Sequence, residues 1–188
     1  MQIFSLVQCL GYVACVLGVT AFLQKSDVRL KGLLAVESFV YTVHFWLLGN
    51  NAAAFIAFLS GIRSGLAIKT QSRALGIVFL AVNVIVGVPM MNHWLAILPI
   101  VGGVLGTVAM FFLQGLSMRL VLLASTCCWL ANNIAVGSIG GMVLESFNAL
   151  ANGFTIVRFV AAQSAARAAG AAVERRSGQG VSGSRTVD

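Results

Sequence analysis

Seven runs of apolar residues, each about twenty long, follow one another with only two to five residues of polar punctuation between them. An α-helix rises about 1.5 Å per residue, so such a run crosses the roughly 30 Å of a bilayer's hydrocarbon. Lipid offers no partner to a backbone N–H or C=O, and a helix satisfies those groups within itself. The runs predict spans at 3–23, 29–48, 51–69, 74–91, 94–113, 118–137 and 140–162. Composition agrees. Hydrophobic residues make up 59% of the chain and charged residues 9%, with a mean hydropathy of +0.96, whereas a soluble domain carries about a quarter charged residues. A chain this apolar could not cover its own surface in water. It reads as an all-α integral membrane protein whose principal partner is the lipid bilayer.

Charge orders these helices across the membrane. There are 12 Lys and Arg residues against 5 Asp and Glu, a net charge of +7. Lys25, Arg29 and Lys31 belong to the first connection, Lys69 and Arg73 to the third, and Arg119 to the fifth. Arg158, Arg167, Arg175, Arg176 and Arg185 lie at or beyond the end of the last span. Arg63 sits inside span three, where its long side chain can reach toward the same face. The other connections hold no Lys or Arg. Cytoplasmic loops carry the basic excess, so the pattern predicts an N-terminus outside and a C-terminus in the cytoplasm. It also argues against nucleic acid as a partner, since the basic residues mark helix ends and build no polar basic surface. The first run has no basic residue before it and several after it, which reads as a retained span rather than a cleaved leader. Residues 164–188 turn to Ala and Arg, then Ser and Gly, and read as a basic cytoplasmic tail, either disordered or a loose surface helix. Cys9, Cys15, Cys127 and Cys128 fall inside apolar runs without CxxC spacing or nearby His, as packing residues rather than metal ligands.

An internal echo divides the transmembrane domain, residues 1–163. Phe22-Leu23-Gln24 returns as Phe112-Leu113-Gln114, and Arg29 returns as Arg119 at the same offset of 90. Tyr41 then falls opposite Trp129, Gly49 opposite Gly137, and Ser60-Gly61 opposite Asn152-Gly153. These echoes predict two parallel three-helix repeats, about 3–69 and 94–162, joined by a linker helix at about 74–91 (a 3+1+3 layout). Repeats of this kind meet around a site near the bilayer midplane.

Val43-His44-Phe45, Leu47-Leu48-Gly49, Ser125-Thr126-Cys127-Cys128-Trp129, Gly137–Gly141, Asn152-Gly153 and Arg158-Phe159 carry a resemblance to the YgjV family of bacterial inner-membrane proteins. It extends over essentially residues 10–159 and implies a multi-pass protein of the inner membrane. More distantly, the layout is similar to the SWEET and PQ-loop sugar transporters. The expected Pro-Gln reads Leu23-Gln24 and Leu113-Gln114 here, so the prolines that help those transporters flex are missing.

Polar groups inside a membrane are costly and call for a partner or a purpose. By helical rise, Tyr41, Trp129, Ser60 and Asn152 all lie roughly 14–18 Å from their helix ends, close to mid-depth. A ring face with hydroxyl and amide groups suits a small polar solute such as a sugar, and the SWEET resemblance implies a Trp and an Asn at the positions of Trp129 and Asn152. The alternative is that these groups bond helix to helix. His44, Asn132, Asn133 and Glu145 lie nearer the outside, as an outer gate, a His44–Glu145 pair, or packing bonds. Glu37 and Arg63 share a depth in the cytoplasmic third, as an ion pair or an inner gate. Gly61 and Gly65 form a GxxxG that predicts close packing.

The sequence favours a transporter of a small polar solute over a non-transporting receptor or assembly protein. No zinc-protease, nucleophile-elbow or phosphate-loop motif is present, so enzymatic activity and a cofactor are not expected. A homo-oligomer stays open.

Overall fold

The computed structural model describes residues 4–22, 24, 27–70 and 72–182, with side chains from 166 onward left aside. Its described residues form seven α-helices: α1 Leu6–Phe22, α2 Asp27–Leu47, α3 Asn51–Leu66, α4 Arg73–Gly87, α5 Ile97–Phe112, α6 Gly115–Val136 and α7 Ile139–Ser182. Two short 3₁₀ turns, Val88–Met90 and Trp94–Ala96, lie between α4 and α5.

The helix boundaries have local causes. Gly49 and Gly137 take the left-handed conformation, φ 75° and 70°, which costs a glycine little and reverses the chain sharply. The next residue in each case caps a helix. Asn50 Oδ1 accepts from Ala53 N–H at 3.0 Å, and Ser138 Oγ accepts from Gly141 N–H at 3.2 Å. Ser72 caps α4 through Leu75 N–H at 3.1 Å. The α4–α5 connection departs from the sequence expectation. Span four was expected to reach 91 and span five to begin at 94, but regular helix stops at Gly87 and resumes at Ile97. Pro89 has no N–H to continue the α-helical ladder, so the chain tightens into 3₁₀ turns. At the far end, α7 runs on to Ser182, into the stretch read as a tail. Residues 183–188, like Leu23 and Lys25, lie outside the described residues.

Three segments, Arg73–Met90, Trp94–Phe112 and Gly115–Val136, are long and apolar enough to cross a membrane by length and composition. Leu6–Ala21 is apolar but shorter. α2 carries Asp27, Arg29, Lys31 and Glu37 along its first half, and α3 has 16 residues. The count of helices matches the seven expected; spanning length and composition together are met by three.

Packing follows a closed order. α1 packs on α2, α2 on α3, α3 on α5, α5 on α6, α6 on α7, and α7 returns to α1. α4 stands against α3 and α5. Its buried residues, Gly76, Phe79, Asn83 and Gly87, recur every three or four positions and form one stripe. Ile77, Val78 and Ile85 on its other faces are exposed. Trp46, Leu150, Phe154 and Val157 are likewise at least 65% exposed, an apolar surface suited to lipid contact. Small residues let the ring close. Ala52 and Ala53 on α3 are fully buried, and a side chain on Gly140 of α7 would collide with the backbone of Gly11 on α1. Cys15 packs against the core, whereas Cys9 and Cys127 face outward.

Candidate functional site

One end of the bundle carries the Gly49-Asn50 and Gly137-Ser138 turns, and a layer of polar side chains closes it. Gln8, His44, Asn50, Asn132 and Ser138 are each no more than 1% exposed. His44 Nδ1 lies 2.7 Å from the Val7 carbonyl; a carbonyl only accepts, so Nδ1 carries the proton. His44 Nε2 then accepts from Ser138 Oγ at 2.8 Å. Gln8 Nε2 donates to the Gly137 carbonyl at 2.9 Å, and Gln8 Oε1 accepts from Ile139 N–H at 3.1 Å. Asn50 Nδ2 donates to Asn132 Oδ1 at 2.8 Å. Five helices are tied together here: α1, α2, α3, α6 and α7.

Beneath this layer, toward the end bearing Lys31, Lys69 and Arg119, lies a cavity of about 190 Å³ inside the ring. α2 contributes Leu34, Glu37, Ser38, Tyr41 and Phe45; α3 contributes Ala57, Ser60, Arg63 and Ser64. Met110 of α5, Trp129 and Asn133 of α6, and Glu145 and Asn148 of α7 complete the wall. Among the described residues, none of α1 or α4 lines it. A run of rings bridges α2 and α6: Tyr41 stacks on Phe45 at 5.3 Å, and Phe45 on Trp129 at 5.9 Å and 27°.

The charged groups of the cavity do not neutralise one another by direct contact. Arg63 Nη1 donates to Thr107 Oγ1 at 2.8 Å and Nη2 reaches Ser60 Oγ at 3.5 Å. Its Nε has no hydrogen-bond partner. Glu37 accepts from the neighbouring Ser38 hydroxyl at 3.4 Å. Tyr41 Oη on the same wall is also without a partner, as is Asn133 Oδ1, which packs against Gly141 of α7. A buried polar atom left unbonded costs about 1–3 kcal/mol. The two on Arg63 and Tyr41 mark a place beside the cavity where a polar guest or water would be welcome.

Seven of the ten residues singled out in the sequence therefore meet here: Tyr41, Ser60, Trp129, Glu37, Arg63, Asn133 and Glu145. The other three are placed elsewhere. Asn152 points to the far end of α6 and donates to the Arg119 carbonyl at 2.8 Å. His44 bonds Val7 and Ser138 rather than Glu145, and Asn132 bonds Asn50. Arg63 bonds hydroxyls, so the expected Glu37–Arg63 ion pair is replaced by two groups sharing a cavity. Residues that the sequence reading missed follow from helical spacing. Leu34, Ser38 and Phe45 lie seven, three and four positions from Tyr41, Ser64 lies four from Ser60, and Asn148 three from Glu145. Among the described residues no group of three His, Cys, Asp or Glu side chains is placed to hold a metal ion.

A family model described as a bacterial inner membrane protein, Imp-YgjV, matches residues 5–163. Over 159 residues the chain is 37% identical to the inner membrane protein YgjV of Escherichia coli (strain K12), covering 85% of this chain and 87% of that one. No solved structure matches it significantly.

Proposed function

The chain belongs to the YgjV family of bacterial inner membrane proteins, and from that premise we propose that it transports a small polar solute by exposing the cavity to alternate sides of the membrane. The observation that carries this reading is the cavity itself: about 190 Å³, mid-bundle, lined by Tyr41 and Arg63, each with an unbonded buried polar atom. A bundle held together only by packing has no reason to keep such atoms from one another. The chemistry is binding and release, without catalysis.

The 3+1+3 layout belongs to the same proposal, and two features support it. Exchanging α1, α2 and α3 for α5, α6 and α7 maps the closed packing order onto itself and leaves α4 over. The turns correspond too, since Gly49-Asn50 and Gly137-Ser138 each place a left-handed glycine before a helix cap. Within this layout the polar layer is the closed outer gate, the basic end is cytoplasmic, and the N-terminus lies outside.

Proteoliposomes holding wild type, Trp129→Ala or no protein are incubated with a small-molecule extract of E. coli cells, and their contents are read by mass spectrometry. Wild type is expected to accumulate at least one polar metabolite, and the Trp129→Ala vesicles several-fold less. Equal contents in wild-type and empty vesicles would overturn the reading.

A further inference from the structure

The cavity wall is more strongly charged than a sugar site requires. It holds two carboxyl groups, Glu37 and Glu145, one guanidinium, Arg63, and three stacked rings, Tyr41, Phe45 and Trp129. We propose that the solute is a small zwitterion of the amino-acid type, its carboxylate held by Arg63 and its ammonium by Glu37 and Glu145 beside the rings. This rests on the transporter reading above and narrows it to a substrate class.

The guanidinium is the first reason. Arginine has five N–H donors in a fixed fork, and Arg63 commits only Nη1 and, at 3.5 Å, Nη2 to side-chain partners. The Nε–H is unbonded and buried. The Nε edge of a guanidinium is a bidentate seat for a carboxylate, and a neutral hydroxyl would leave its charge without a counterion.

Charge balance is the second. Two carboxyl groups and one guanidinium line the same cavity, so the wall offers partners of both signs, and a guest carrying both an ammonium and a carboxylate can use both. An anionic solute would meet two carboxyl groups for each cation. An ammonium also suits the rings, whose faces attract a cation within about 6 Å. Tyr41 Oη adds one more unbonded buried group, on a residue 7% exposed.

Size is the third. At about 30 Å³ per water in the liquid, 190 Å³ equals about six waters. That is room for a compact amino acid.

The test is thermal-shift titration of the full chain in detergent with each of the twenty standard amino acids, glycine betaine, glucose and glycerol. For any amino acid that stabilises, the matching amine and the matching carboxylic acid are titrated too. The expected result is stabilisation by at least one small zwitterion and by neither of its single-charge analogues. Arg63→Gln and Glu145→Gln should each weaken the apparent affinity by about thirtyfold or more, as for a buried charge left without its partner. Because either variant can fold poorly, the analogue series on wild type stands as a measurement of its own. Stabilisation by glucose or glycerol alone, or equal stabilisation by the amine, overturns the zwitterion while leaving a solute site in place. No stabilisation by any compound, with proteoliposomes that accumulate nothing from the cell extract, overturns both.

Discussion

Trp129 and Asn152 began with the same credentials, both polar-capable residues near mid-depth, and the structure separates them. Trp129 closes the aromatic run on the cavity, whereas Asn152 ties α7 to the first turns of α6 through the Arg119 carbonyl. Their substitutions should diverge accordingly. Asn152→Ala should lose about 0.5–1.5 kcal/mol, one hydrogen bond's net worth, seen as a lower melting temperature in detergent with solute uptake unchanged. Trp129→Ala should do the reverse, reducing uptake while the apparent melting temperature moves less than in Phe45→Ala, whose ring is only 2% exposed. Asn50 does two jobs, capping α3 and holding Asn132. Asn50→Ala should therefore cost more than Asn152→Ala, about 1–3 kcal/mol, on the same melting assay.

Among the helices, what could be read from the sequence was depth, and what could not was direction. Rise per residue put Tyr41, Ser60 and Trp129 close to mid-depth, and all three line the cavity, but Glu145 and Asn133, read as nearer the outside, line it too. Azimuth is another matter. A helix in lipid is apolar on all sides, so hydropathy does not say which face looks inward. Asn152, read as a cavity residue, turns instead to the Arg119 carbonyl of α6, while His44 and Asn132, read as an outer gate or packing bonds, bond neighbouring helices. The 3₁₀ turns between α4 and α5 were missed for a different reason: the spans expected at 74–91 and 94–113 agree within a residue with the apolar segments Arg73–Met90 and Trp94–Phe112, but apolar composition does not separate 3₁₀ turns from helix. The polar layer joining α1, α2 and α7 was not anticipated as a unit, since Gln8 and Ser138 are 130 residues apart in sequence. Its role as a latch is open to test. Ser138→Ala removes the hydroxyl that bridges His44 and Gly141 N–H, and should cost about 1–3 kcal/mol while speeding the opening of this end. Hydrogen–deuterium exchange at Ile139–Met142 should rise well above exchange in α5; unchanged exchange would remove the latch from the account.

For the molecule as a whole, the ring of six helices with α4 at its side and the cavity within it are the frame of the proposed transport. All of it depends on one physical claim, that solvent and solute reach the middle of the bundle. The direct measurement uses Ser60→Cys, on the cavity wall, in a chain whose four native cysteines are replaced by Ala, reconstituted in sealed vesicles of known orientation. A membrane-impermeant maleimide is added to either face. The account predicts labelling from the face bearing Lys31 and Arg119, and slow labelling from the opposite face that accelerates when Ser138→Ala is added. No labelling from either face, in protein that labels fully once denatured, would contradict it and leave a bundle whose interior polar groups serve packing alone.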